Sequence, residues 1–156
     1  RVLVIKHEID KRYGGHDSIF THDDQTNGVR CEAAGSLIPL RDTDEYREAD
    51  VVVIEEAQFF DDLYIFCLAA TEEDGKNVHV YGLDGKTTRE PFGQLVALCP
   101  IADSFVKIPA FCKLCADGTE ASFSIATSNI PEDGVLIGGG DVYMAVCRKH
   151  FMAHIK

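Results

Sequence analysis

Three short stretches, VLVIK (2–6), VVVIE (51–55) and VHVYGL (78–83), are near-continuous runs of branched and apolar residues. A strand with one solvated face alternates polar and apolar side chains. A strand that stays apolar on both sides has both faces covered, as in a parallel sheet flanked by helices. SFVKIP (104–109) reads as a fourth such strand. Between the second and third, Leu63, Phe66, Cys67 and Ala70 recur at the spacing of one helical face. Asp61 and Asp62 precede that face, where the helix dipole favours negative charge, and Gly75 supplies a stop. A shorter helix is expected from Pro91 to Cys99, turning Leu95, Val96 and Cys99 inward with its proline in the first turn. Strands alternating with helices in this order predict an α/β domain built on a parallel sheet.

Two polar stretches interrupt that pattern. Residues 10–28, DKRYGGHDSIFTHDDQTNG, are rich in Gly, Asp and His and long for a simple connection, which makes them a candidate substrate or phosphate loop. Residues 41–50, RDTDEYREAD, read as a short solvated helix leading into the second strand. From Ala110 the character changes. Cysteines pair up, Asp117-Gly118 signals a hairpin, and 120–126 alternates as a short strand. The expected division is therefore 1–109 for an α/β core and 110–156 for a small second domain. The chain opens directly on a strand at Arg1–Ile5, so a preceding segment is expected.

The net charge of −11 argues against a nucleic-acid partner, which needs a concentrated basic surface. No apolar run reaches the roughly 20 residues of a membrane helix. A phosphorylated ligand remains compatible with an acidic chain where divalent cations supply the positive charge.

Cys112-x2-Cys115 and Cys147-x2-His150 are two close pairs of soft ligands, the first on a knuckle before the hairpin. Four such ligands suit a tetrahedral Zn²⁺ with no open position, hence a structural site. Reduced core cysteines or a disulfide are the competing readings, and His154 is a rival fourth ligand. Cys31, Cys67 and Cys99 stand among apolar neighbours as small hydrophobes, which fits a reducing compartment.

The second strand runs into Glu55 and Glu56 and then Gln58, Phe59 and Phe60. Acids at a strand end can direct a magnesium ion and accept a proton during phosphoryl transfer. In an extended chain the two would point to opposite sides, one to metal and phosphates and the other to the acceptor. Carboxylates at strand ends are also often merely solvated. Leu83-Asp84-Gly85 ends the third strand in the same manner, and Gly138, Gly139 and Gly140 with Tyr143 could bring bare backbone and a ring against a flat ligand. No G-x-x-x-x-G-K-[ST] loop occurs within these 156 residues.

Taken in order, "LVIK", "DKRY", "THD", "EEAQFFDD", "LDG", "REPFG", "CKLC" and "IGGGDVY…VCRKH" resemble the zinc-containing thymidine kinases of the cytosolic vertebrate and bacterial type, over essentially the whole chain. The resemblance implies a P-loop-type parallel sheet with helices on both faces, a small zinc-ribbon-like domain, and a lasso loop that closes over thymine. It implies transfer of the γ-phosphate of ATP, with Mg²⁺, to the 5′-hydroxyl of thymidine, giving dTMP for DNA precursor synthesis. It further implies feedback by dTTP, a homotetramer and a cytoplasmic location. By resemblance Glu56 is the general base, with Arg12 beside the reacting phosphate. Asp10, Lys11, Arg12, Glu55 and Gln58 lie toward the nucleotide and its metal, Gln58 next to the base pocket. Phe59, Leu83, Thr87, Ser124, Gly134, Val135, Leu136, Ile137, Gly138 and Tyr143 form the thymidine pocket, and Cys112, Cys115, Cys147 and His150 hold zinc.

This sequence departs from the family pattern at several points. Glu55 stands where an aspartate is usual, Lys86-Thr87 where Thr-Phe is common, and Ile125-Ala126 where a basic pair is expected. The family's P-loop segment would precede Arg1. A thymidine-kinase-like domain that assembles with an active kinase is the alternative these departures leave.

Overall fold

A computed structural model describes residues 1–9, 18–20, 26–127 and 142–155. In chain order its elements are β1 (Val2–His7), β2 (Ser18–Phe20), β3 (Thr26–Arg30), β4 (Glu32–Ala34), α1 (Asp44–Glu48), β5 (Val51–Glu55), α2 (Leu63–Glu72), β6 (Asn77–Val80), β7 (Ala110–Phe111), β8 (Glu120–Ala121), β9 (Phe123–Ala126), β10 (Tyr143–Val146) and α3 (Arg148–His154). Single 3-10 turns occupy Ile38–Asp42, Ala57–Phe59 and Leu95–Ile101. The chain divides into two compact units, Arg1–Asp84 with Pro91–Asp103, and Gly85–Glu90 with Ser104–Lys156. Relative to a division at residue 110, the second unit also takes in Gly85–Glu90 and the stretch from Ser104.

The first unit is built on a parallel sheet in the order β4-β1-β5-β6. The first two apolar runs are its central strands, whereas the third, expected as a buried strand over 78–83, is the edge strand β6, which ends at Val80 and leaves Tyr81 and Leu83 exposed. β1 and β5 pair from Val2↔Val51 to Lys6↔Glu55, and Ile5, Val52 and Ile54 are fully buried. Each such side chain contributes about 1.5–3 kcal/mol relative to exposure. Helix α2 buries Leu63, Phe66, Cys67 and Ala70, the face that the spacing predicts. Burial pushes the Cys67 thiol up to about 12, so it packs as an inert hydrophobe. The Tyr64 N–H at the start of α2 donates to Gln94 Oε1 at 2.8 Å. One oxygen of Asp62 accepts from Leu37 N–H at 2.8 Å and Ile38 N–H at 2.9 Å, closing the N-terminus of the 3-10 turn that follows β4.

Two other expectations are corrected. Residues 104–109 form no strand among the described residues, and Phe105, Val106 and Ile108 are 47%, 73% and 82% exposed. An apolar run becomes a strand only when a neighbouring strand offers it a hydrogen-bonded ladder, so composition alone does not make one. The helix expected from Pro91 to Cys99 is instead the 3-10 turn at Leu95–Ile101, with Leu95 and Leu98 buried and Val96 and Cys99 exposed. A three-residue turn puts i and i+3 on one line, and Pro100 removes a donor, so the α-helical spacing fails.

The charge-dense stretch before β5 hides a buried tyrosine. Thr43 caps α1 through its hydroxyl, which accepts from Tyr46 N–H at 3.2 Å, and Tyr46 is 2% exposed. The Tyr46 hydroxyl donates to Asp74 Oδ2 at 2.7 Å, while Arg41 grips Asp74 at 2.8 and 2.9 Å and Glu73 at 2.9 Å. The Arg41 guanidinium, then the Tyr46 hydroxyl, hold the Asp74 carboxyl below its usual value of 3.8. A depressed folded pKa stabilises the fold above the unfolded value and loses that contribution as pH falls through the folded one. The wild type should therefore lose about 1 kcal/mol below pH ~4 that Asp74→Asn never had, a modest figure because the site is partly solvated. Acid melts of the two proteins should converge; curves that stay parallel to pH 2 contradict this.

The second unit holds two antiparallel pairs. β7 and β8 join Ala110↔Ala121 and Phe111↔Glu120, and β9 and β10 join Phe123↔Val146 to Ala126↔Tyr143. The turn expected at Asp117-Gly118 forms, with Gly118 at φ +87° and Asp117 accepting from Thr119 N–H at 3.0 Å. A small core gathers Cys112, Ala121, Ile125, Val146 and Phe151. Arg148 lies 4.6 Å over the Phe123 ring, and Arg89 lies 5.3 Å over Phe151, tying Gly85–Glu90 to this unit. No helix among the described residues is long and apolar enough to cross a membrane.

Candidate functional site

Chemistry-bearing residues of the first unit collect beyond the C-terminal ends of β1, β5 and β6, the edge at which open parallel sheets bind ligands. Lys6, 7% exposed, stands in register with Glu55 on the neighbouring strand. Glu56 leaves the strand in the left-handed region, at φ 52° and ψ 39°. For a residue with a Cβ this conformation costs about 1–3 kcal/mol, a strain that collects at functional sites. The expectation that Glu55 and Glu56 alternate along an extended chain is thus corrected, because the backbone turns at Glu56 and re-aims its carboxylate. The turn is held by Tyr81 N–H donating to Ile54 O at 2.8 Å and Ala57 N–H donating to Tyr81 O at 3.0 Å.

Just past this turn, Gln58 is buried, with its Nε2 donating to Glu56 Oε2 at 2.5 Å and its Oε1 accepting from Leu83 N–H at 3.0 Å. Phe59 is half-buried and belongs to a chain of rings. The His7 ring lies 5.8 Å from Phe59 and 4.6 Å from Phe60, and Phe92 meets Phe59 edge-on at 5.4 Å. Burial lowers the His7 pKa, partly offset by the charges of Glu8, Asp61 and Asp62 and by the Gly35 backbone. The His7 Nδ1 accepts from Ile9 N–H at 3.1 Å, which fits the neutral ring. Sequence reasoning passed over His7 and Phe92; the available signal was their place at a strand end and in "REPFG".

In the second unit the β9–β10 register puts Ser124 and Tyr143 on one face of the ribbon, while Ile125 and Val146 turn to the small core. Cys112, Cys115, Cys147 and His150 bring their ligand atoms within 4.8 Å of one another. Cys115 and Cys147 sulfurs are 3.8 Å apart, and His150 Nδ1 lies 3.4 Å from the Cys112 sulfur and 3.5 Å from the other two. The two pairs come from the β7–β8 knuckle and the start of α3, as their spacing predicts, and His150 is the imidazole in the cluster. A tetrahedral ion with ligands at about 2.0–2.3 Å separates them by roughly 3.5–3.8 Å, so the quartet fits one structural metal ion.

Comparison with known proteins fixes the family. The thymidine kinase family model matches residues 1–151. This chain belongs to the thymidine kinase family. It is 44% identical over 154 residues to the thymidine kinase of Oryza sativa subsp. japonica and 43% identical over 156 residues to thymidine kinase a of Arabidopsis thaliana, covering 97% and 98% of this chain. It spans 55% and 63% of those relatives' own lengths. The thymidine kinase of Vaccinia virus (strain Copenhagen) is 36% identical over 152 residues, covering 97% of this chain and 80% of the viral protein.

A parallel sheet with helices, together with a three-cysteine, one-histidine cluster in the second unit, fits the α/β fold of thymidine kinases. Of the residues the family resemblance assigns, Glu55, Glu56, Gln58, Phe59 and Leu83 lie in the first unit, and Thr87, Ser124, Tyr143 and the metal quartet in the second. Asp10, Lys11, Arg12, Gly134, Val135, Leu136, Ile137 and Gly138, and with them the expected lasso, lie outside the described residues.

Proposed function

We propose that this protein phosphorylates thymidine at its 5′-hydroxyl with ATP, and that Glu56 is the general base. The supporting observation is a family match over residues 1–151 together with Glu56 held in a strained backbone at the end of β5. Glu56 takes the hydroxyl proton as the 5′-oxygen bonds the γ-phosphorus and the bond to the leaving ADP oxygen breaks. Glu55 is the residue that would direct the Mg²⁺ entering with ATP, which would supply charge neutralisation there, and Asp10, Lys11 and Arg12 would lie near the phosphates. Phe59 and Leu83 are the first unit's candidates for contact with the base, Thr87, Ser124 and Tyr143 are the second unit's, and residues 134–138 are the expected readers of its edge. A buried base edge left unpaired costs about 1–3 kcal/mol, which lets backbone groups reject cytosine and purines.

The metal of the second unit is zinc. Three thiols and an imidazole are its preferred donors, and a closed quartet gives it a structural role. A cytoplasmic location, regulation by dTTP and assembly into homotetramers complete the reading.

The test is a transfer assay with labelled ATP, Mg²⁺ and the protein at its natural full length. Thymidine should be phosphorylated at least about tenfold better, by kcat/KM, than cytidine or purine nucleosides. Absence of dTMP, with metal bound and the fold intact, contradicts the proposal.

A further inference from the structure

We propose that Gln58 is a positioning residue for Glu56, acting on the base rather than on the nucleotide. This rests on the reading of Glu56 as the proton acceptor. A carboxylate can only accept a hydrogen bond and a backbone N–H can only donate one, so the two partners of the Gln58 side chain determine which way its amide points. Nε2 faces Glu56 Oε2 at 2.5 Å, and Oε1 faces the N–H of Leu83 at 3.0 Å. The side chain is a strut from the strained residue to the backbone that follows β6. It is 3% exposed, so water does not compete for either bond.

Two glycines leave room for this strut. A Cβ on Gly82 would stand 2.5 Å from Gln58 Oε1, and one on Gly93, at φ +56°, would stand 2.1 Å from the Gln58 carbonyl oxygen. A left-handed backbone aims the Glu56 side chain but leaves its three torsions to be set by partners. The amide fixes one oxygen, and the carboxylate retains acceptor capacity for a substrate hydroxyl proton. Misplacing a catalytic group by about 1 Å can cost on the order of a hundredfold in rate.

The experiment uses Gln58→Glu, Glu56→Gln and the double variant in the full-length enzyme, with kcat, both KM values and melting temperature measured. Gln58→Glu keeps the acceptor for Leu83 N–H and replaces the donor to Glu56 by a second carboxylate. Its kcat should fall about ten- to hundredfold while the thymidine and ATP KM values stay within about threefold. The double variant restores the bond with its polarity reversed. It should melt above Gln58→Glu and turn over no more slowly than Glu56→Gln alone, because a positioning residue has nothing to position once the base is gone. A wild-type kcat in Gln58→Glu, an equal loss of rate in both backgrounds, or a loss confined to the ATP KM overturns the assignment. Wild-type protein that phosphorylates no thymidine refutes the proposed activity instead, a result read before any variant is compared.

Discussion

Chelating the metal of the cysteine–histidine quartet should unfold the second unit. Among the described residues its core gathers five buried residues, Cys112, Ala121, Ile125, Val146 and Phe151, and one of them is itself a ligand. A structural zinc site contributes about 10–16 kcal/mol of apparent binding free energy, as large as the whole stability of an ordinary domain. Stripping the ion leaves two-stranded ribbons, which are marginal alone in water. Cys147→Ser should have the same effect at a stroke, since it removes the one sulfur that lies 3.5 Å from His150 Nδ1 and 3.8 Å from the Cys115 sulfur. Near-ultraviolet circular dichroism of the unit's aromatic residues, together with elemental analysis, provides the measurement. Folded protein that contains no metal would end this reading.

Glu56→Gln should lower kcat by about 10²–10⁴ while leaving thymidine affinity nearly unchanged. The change is isosteric, and its amide oxygen still accepts from Gln58 Nε2, so the local structure survives while the proton acceptor is lost. Glu55→Gln, by contrast, should mainly weaken the response to magnesium. Calorimetric binding of thymidine alongside turnover separates the two, and a Glu56→Gln enzyme keeping a tenth of its kcat would remove Glu56 from the base role.

The parts of this molecule legible in its sequence are those whose signal is local. Val51–Ile54 reads as a central strand because Val52 and Ile54 are buried in the core, with Val51 and Val53 half-buried on the opposite face, and α2 announces its buried face through Leu63, Phe66, Cys67 and Ala70. Ligand pairs separated by two residues name the metal quartet, because a knuckle or a first helical turn brings such residues together. What was not legible depends on distant partners. β4 is only Glu32–Ala34 and exists because β1 offers it hydrogen bonds. Residues 104–109 look like a strand and join no sheet among the described residues. The left-handed turn at Glu56 and the inward amide of Gln58 depend on Tyr81, Leu83, Gly82 and Gly93, more than twenty positions away, and no spacing rule reports them.

One bond at the end of the β9–β10 ribbon has a consequence for how this family can vary. Thr127 N–H donates to Val142 O at 2.8 Å, so residues 127 and 142 are held side by side at the end of the ribbon. The closure entropy of the intervening segment is then charged against the ribbon and the metal, and doubling its length adds only about 0.6 kcal/mol. A longer connection between residues 127 and 142 would therefore add little to what the ribbon must offset. The length of that connection is thus a quantity that evolution can adjust at little cost to the ribbon and metal quartet that anchor its two ends.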